Sequence, residues 1–339
     1  MWINTPNLIA LHLLKTIQRS SIYKIALNYD IICLLLLIQL VNAGRGKTAV
    51  SRHIFNAAEV KEYFREQIWI CVSHDFEFEK LLMGMLEQLG ERSTISNVEA
   101  IKKILREKLE GKKFFLVLDD VWDTFETTWE PFRCCLQDIS QLKGNTILVT
   151  SRSKDVLTKL KTDNASKQFI DDPCMHELPG LTDADSWSLF KERVGEDTLD
   201  STKEKLARKI LEKCGGVPLA IRTVADLLRS RDIHTWEEIE ASGIWNEHDN
   251  IILPSIKLSF KYLPSVEMKK CFVYCAIFQE DEVIYKDRLI QLWIAQGFLQ
   301  HPDDELEQVG EEYFFVLLNN SLFQDPVSVS YTHLRAPRD

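Results

Sequence analysis

The sequence predicts an α/β fold, a parallel sheet covered by helices on both faces, followed by two small mainly helical domains. Three observations carry that prediction. Short apolar runs alternate with amphipathic helical patterns as far as residue 181, the order that produces a parallel sheet. A glycine-containing turn, Gly44-Arg45-Gly46-Lys47-Thr48, separates one such run from a helical pattern. Beyond 181 helical patterns dominate.

The run 31–41 (IICLLLLIQLV) is continuously apolar, as a strand buried on both faces is. It is too short to cross a bilayer as a helix. With Asn42 and Ala43 behind it, it also has the form of an apolar signal region with a small-residue cleavage site. A strand explains more, because a phosphate-binding loop has to follow one. Within 48–58, Val50, Ile54 and Phe55 recur at helical spacing. Residues 67–72 (QIWICV) read as a strand, 77–89 as an amphipathic helix and 98–109 as another with its charges outward. Residues 114–118 (FFLVL) form a short apolar strand, and 145–150 (NTILVT) a further one introduced by the turn-former Gly144. A last strand is expected at 175–178.

Helical patterns then cover 183–194, 201–213 and 217–229, with Gly215-Gly216 separating the last two as a terminator. Leu253, Ile256, Leu258, Phe260 and Leu263 begin another helical group, which continues through 267–278, 286–296 and 305–319. The final stretch has neither periodicity nor an apolar face, so 326–339 is expected to be a disordered or non-native tail.

The 339 residues suffice for two or three domains. A composition 45% hydrophobic and 27% charged is that of an ordinary soluble globular protein. Lys and Arg number 41 against 51 Asp and Glu, a net charge of -10. That sign argues against nucleic acid as the main partner but leaves a nucleotide open, since its phosphates need only local donors. The eight cysteines include no pair of CxxC motifs, and Cys271 and Cys275 share a helical face without a nearby histidine. All eight are expected to be structural thiols in a reducing compartment.

A phosphate-binding loop presents consecutive N–H groups in a concavity at a helix N-terminus. Gly44 and Gly46 give the backbone freedom for close approach, with Arg45 between them. Lys47 would reach the β and γ phosphates, and the Thr48 hydroxyl would ligate Mg²⁺. The full pattern G-x-x-x-x-G-K-[ST] asks for glycine at position 41, where Val41 stands. The competing reading is a surface turn opening a helix. Asp119 and Asp120 shift the balance, because they end a bulky apolar strand, where open α/β sheets bind ligands. Asp119 is the natural Mg²⁺ contact, and Asp120 could position or deprotonate an attacking water. Arg152 follows the next apolar strand in the same way and could reach a γ-phosphate with forked donors, or remain a solvated loop arginine. In Cys214-Gly215-Gly216-Val217-Pro218-Leu219-Ala220, Pro218 could pack against a nucleotide base or simply open a helix.

Taken together, these stretches resemble the NB-ARC nucleotide-binding module of plant disease-resistance proteins, intracellular immune receptors with leucine-rich repeats. Residues 67–76 (QIWICVSHDF), 113–123 (KFFLVLDDVWD), 145–152 (NTILVTSR), CGGVPLA and 271–299 (CFVYCAIFQEDEVIYKDRLIQLWIAQGFL) carry the resemblance, in the family's order and with the coiled-coil type's winged-helix segment. The resemblance implies an α/β P-loop NTPase-like sheet, a helical lid and a winged helix, here 31–181, 182–248 and 249–325 after an unassigned segment 1–30. It implies an ADP-held resting state and an ATP-held active state, with slow hydrolysis as the reset. It assigns phosphates to Gly44, Gly46 and Lys47, Mg²⁺ to Thr48 and Asp119, catalytic base to Asp120, γ-phosphate sensing to Arg152 and adenine contact to Pro218. It also implies that the sensor strand lies between the two strands bearing the phosphate loop and the paired aspartates.

Val41 and Ala43 replace glycines of the family's phosphate loop, no Met-His-Asp follows Phe323, and neither a coiled-coil domain nor leucine-rich repeats are recognisable. The expected function is therefore a cytoplasmic nucleotide switch in plant defence, present as an incomplete receptor. Other receptor chains or signalling proteins are its expected partners, and no integral membrane association is expected. The alternative is a nucleotide-free interaction or decoy module.

Overall fold

In the computed structural model, the residues described are 33–38, 44, 46–72, 77–91, 97–122, 126–139, 144–153, 156, 174–246, 251–278, 282–300, 305–328 and 332–335. The unassigned segment 1–30 and positions Val41, Ala43 and Arg45 lie outside them. Two units, Met1–Pro179 and Gly180–Asp339, make up the chain.

Among the described residues of the first unit, β1 (Cys33–Ile38) is followed by α1 (Lys47–Asn56) and α2 (Ala58–Tyr63), separated at Ala57, whose extended ψ of 139° interrupts the helix. Then come β2 (Glu66–Cys71), α3 (Phe78–Gln88), α4 (Val98–Leu109), β3 (Phe114–Val121), α5 (Glu126–Ile139), β4 (Thr146–Ser151) and β5 (Cys174–Glu177). All five strands are parallel in the order β2-β3-β4-β1-β5. β4 thus lies between β3 and β1, as the resemblance implies. The chain leaves β1 towards one edge of the sheet and leaves β4 towards the other. Their carboxyl ends flank the kind of switch point at which open α/β sheets bind ligands.

Alternation along the strands sorts the two faces. Leu116 and Leu118 of β3, Ile68 and Ile70 of β2, and Ile147 and Val149 of β4 join one core with α3, α4 and α5. In α4 the buried residues Ile101, Leu105 and Leu109 recur every fourth position, and the Asn97 side chain caps the helix by accepting from the Glu99 and Ala100 N–H groups. Leu105 is fully buried, so Leu105→Ala would cost about 2–5 kcal/mol. On the opposite face α1 packs against β3 and β4, and Phe55 contacts Trp69 and Phe115.

The second unit contains α6 (Asp183–Val194), α7 (Ser201–Lys213), α8 (Pro218–Leu228) and α9 (Ile233–Glu240). Thr182, Asp200 and Asp232 cap the N-termini of α6, α7 and α9 through their side chains. Next follow α10 (Ile252–Lys261), α11 (Val266–Tyr274), β6 (Val283–Tyr285), α12 (Lys286–Ala295), α13 (Leu306–Asn319), β7 (Gln324–Ser328) and β8 (Thr332–Arg335). Buried indoles are satisfied by main-chain carbonyls, Trp236 by Leu228 and Trp293 by Cys271. The Asp226 side chain of α8 is only 7% exposed, with the Arg193 guanidinium at 2.9 Å and the Ser321 hydroxyl donating to it. Burial pushes its carboxyl above the ordinary range despite the Arg193 charge. Burial also pushes the Cys214, Cys271 and Cys275 thiols up to about 12, as inert structural thiols require.

The tail differs from expectation. β7 and β8 occupy much of 326–339 and form an antiparallel sheet of order β6-β8-β7. The pairing of β8 with β6 joins distant segments, and local periodicity carries no trace of a partner elsewhere in the chain. Among the described residues, no helix is long and apolar enough to cross a membrane.

Candidate functional site

The site forms where β3 and β4 end beside the start of α1. Gly46 precedes α1 with φ 92°, and Gly44 has φ 82°. Side chains rarely adopt such values, so glycine is what lets the chain turn into the helix here. Lys47 is the first residue of α1 and is buried; Thr48 follows it within the first turn. The main-chain N–H groups of that turn have no intrahelical partner, and their dipole favours an anion.

The Thr48 hydroxyl lies 2.9 Å from Asp119 Oδ2 and 3.2 Å from Oδ1. From the neighbouring strand, Thr150 donates its hydroxyl to Asp119 Oδ1 at 2.7 Å. Asp119 is fully buried, and a buried carboxylate is tolerated only with such donors. The register between β3 and β4 shifts between Leu118 and Val121, which places one extra residue on β3. This is a β-bulge, a device that re-aims side chains next to functional sites. Asp120 takes up the distortion with φ 61°, strained for a side-chain-bearing residue. Its N–H donates to Thr150 Oγ1 at 2.8 Å. One threonine therefore holds both aspartates.

The Asp120 carboxylate faces Arg152, whose Nε and Nη2 lie 3.3 Å from Oδ1 and Oδ2 respectively. The Arg152 guanidinium carbon also lies over the Trp122 ring, 4.8 Å from its centroid. Ser151 fixes the turn after β4, donating to the Val121 carbonyl at 2.7 Å and accepting from the Ser153 N–H.

Of the residues singled out from the sequence, Thr48, Asp119, Asp120 and Arg152 are thus joined directly or through Thr150. Gly44, Gly46 and Lys47 stand at the head of the same helix that carries Thr48. Arg45 lies outside the described residues. Pro218 belongs to the second unit, where it is buried as the first residue of α8. Before it, the Gly216 carbonyl accepts from the Leu181 N–H at 2.8 Å. A Cβ on Gly216 would fall 2.5 Å from the Leu181 carbonyl oxygen, so the close approach requires glycine.

Thr150 and Trp122 had no role assigned from the sequence. Thr150 is signalled only by a hydroxyl ending an apolar strand, and Trp122 by its position just past the paired aspartates.

The donor set fits a magnesium ion. Thr48 Oγ1 and the Asp119 carboxylate are hard oxygens set side by side, and Mg²⁺ commonly takes one or two protein oxygens together with phosphate oxygens and water. Among the described residues no cluster of three or more His, Cys, Asp or Glu could form an all-protein cage.

Comparison with known proteins points to one family. The NB-ARC domain pattern matches residues 37–200, and the disease resistance protein winged helix domain pattern matches 277–335. The chain is 35% identical over 317 residues to the putative disease resistance protein RGA1 of Solanum bulbocastanum, covering 91% of this chain and 31% of that protein. It is 34% identical over 292 residues to the putative disease resistance RPP13-like protein 1 of Arabidopsis thaliana, covering 83% of this chain and 26% of the relative. It therefore spans about a third or less of the length of these relatives. Among solved structures, a Signal Transduction ATPase with Numerous Domains from Pyrococcus horikoshii, which has a tetratricopeptide repeat sensor, superposes with a TM-score of 0.54 at 15% identity. The match covers 95% of this chain and 40% of that one, and it is a likeness of fold.

Proposed function

The chain carries the NB-ARC nucleotide-binding domain and the winged helix domain of plant disease resistance proteins, and from that premise we propose that it is the ADP/ATP-binding switch of an intracellular immune receptor. The observation that carries this reading is the 2.9 Å approach of the Thr48 hydroxyl to the Asp119 carboxylate, across 71 residues of sequence. A turn that merely opened a helix would have no reason to meet that carboxylate.

In this reading the main-chain amides of Gly44, Gly46, Lys47 and Thr48 wrap the phosphates, and Lys47 neutralises the terminal ones. Thr48 and Asp119 would hold Mg²⁺, which when bound would offset the negative charge of the polyphosphate. Arg152 reads the third phosphate with its forked donors. Asp120 accepts a proton from the attacking water. The water oxygen bonds to the γ-phosphorus, the bond to the ADP oxygen breaks, and ADP and phosphate leave. Asp120 is paired with Arg152, so this base is available only once the guanidinium turns to the phosphate. Such gating fits a slow switch better than a fast ATPase.

By position in the family, Pro218 contacts adenine, residues 182–248 form the lid and 249–325 the winged helix, which β7 and β8 extend to Arg335. A cytoplasmic location and association with other receptor or signalling chains belong to the same proposal.

The test is the nucleotide carried by the purified chain. Heat-released supernatant should contain ADP in near-stoichiometric amount. A chain that copurifies without nucleotide, yet still associates with full-length receptors, would instead favour an interaction or decoy module, the role that Val41 and Ala43 in the phosphate loop would suit.

A further inference from the structure

We propose that Trp122 is a positioning residue for Arg152, the shelf on which the guanidinium stays while its anionic partner changes from Asp120 to the third phosphate. This rests on the nucleotide-binding reading above and adds to it a residue and a means of discriminating ATP from ADP.

Three observations carry the inference. The contacts of Arg152 with Asp120 are 3.3 Å each, well beyond the 2.7–2.9 Å of a tight charge-assisted bond. The pair is loosely made and open to exchange. Second, the Arg152 side chain is 24% exposed against 6% for Asp120, so an incoming anion can reach the guanidinium more readily than it can reach the acid. Third, the guanidinium lies over the Trp122 ring at 4.8 Å from the centroid. The guanidinium keeps this cation–π contact while its Nε and Nη2 reach Asp120 at the same time. The two contacts therefore do not compete. Arg152 can trade one edge partner for another without leaving the ring.

Main-chain geometry keeps the three groups in place. The bulge that gives Asp120 its φ of 61° lies between Leu118 and Val121, just before Trp122, and the Ser151 hydroxyl on the Val121 carbonyl fastens β4 to the same corner. Asp120 and the third phosphate are then rival anions for one cation, and Trp122 holds that cation within reach of both.

The rivalry predicts effects of opposite sign. Fluorescent ADP and a non-hydrolysable ATP analogue would be titrated with Mg²⁺ into the full chain and its variants. Trp122→Leu should weaken the ATP analogue roughly 3- to 30-fold while leaving ADP within about twofold. Trp122→Phe should restore part of the loss, because phenylalanine offers a weaker face. Asp120→Asn should tighten the ATP analogue, since the rival anion is gone. If Trp122→Leu weakens both nucleotides equally, or neither, the inference fails while nucleotide binding stands. An Asp120→Asn that weakens the analogue would overturn it as well. A wild-type chain that binds neither nucleotide would instead overturn the function proposed above, and this inference with it.

Discussion

Thr150 and Asp119, on neighbouring parallel strands, are joined by a 2.7 Å hydrogen bond from the threonine hydroxyl to the carboxylate. The same hydroxyl accepts the Asp120 N–H at 2.8 Å. Both of its capacities are used inside the protein, and both serve the corner where the bulge turns the two aspartates in different directions. That makes Thr150 the structural centre of the site, although it is expected to touch no ligand.

Replacing Thr150 with Val keeps its shape and removes both bonds. A buried carboxylate would lose a donor and a buried N–H its acceptor, at a cost of about 1–3 kcal/mol. Thr150→Ser should recover most of it. Urea unfolding of the three proteins checks this, and equal midpoints for wild type and Thr150→Val would refute it.

The Asp120–Arg152 pair should show modest coupling. With Arg152 partly exposed, a double-mutant cycle of Asp120→Asn and Arg152→Ala is expected to give about 0.5–1 kcal/mol. A coupling of several kcal/mol would mean a pair too tight to exchange.

Gly216 is held by geometry rather than by chemistry. Its φ is 68°, and a Cβ would meet the Leu181 carbonyl oxygen at 2.5 Å. Gly216→Ala should destabilise the chain by about 2 kcal/mol or more. Gly243→Ala, where nothing lies within 4 Å and φ is ordinary, should change stability by less than about 0.5 kcal/mol. Thermal midpoints that fall equally in the two variants would contradict the account.

Asp226 makes a prediction about pH. Burial raises its folded carboxyl above the ordinary range, so the native state binds this proton more tightly than the unfolded chain does. Its contribution to stability is therefore fullest at low pH and falls as pH rises through the elevated value. Asp226→Asn removes that dependence. The stability of the variant relative to wild type should rise with pH across the acid range, and a relative stability that falls with pH would refute it.

Much of the first unit was legible because β3 and β4 are buried along their whole length and β2 alternates buried with half-buried positions. The 67–72 and 145–150 predictions coincide closely with Glu66–Cys71 and Thr146–Ser151. The predicted end of β3 at 118 was early, since the strand resumes pairing beyond the bulge at Val121 and two aspartates look like a stop. α5 went unseen, with Pro131 inside it, although its Phe132, Cys135, Leu136 and Ile139 are buried at helical spacing. The carboxylates, Lys47, Thr48 and Arg152 were legible as residue types at strand and helix ends. Their pairing was not. Whether Arg152 meets Asp120 or solvent depends on how β3 and β4 end side by side, and the bulge sets that across 32 residues of chain.

The central claim is that Lys47 and Asp119 serve one polyphosphate. Calorimetric titration of ADP with Mg²⁺ into the nucleotide-stripped chain, alongside Lys47→Ala and Asp119→Ala, tests it most directly. Wild type should bind, Lys47→Ala should lose roughly tenfold or more, and Asp119→Ala should lose the dependence of affinity on Mg²⁺. Three indistinguishable titrations, or a folded wild type giving no heat at any nucleotide concentration, would contradict it.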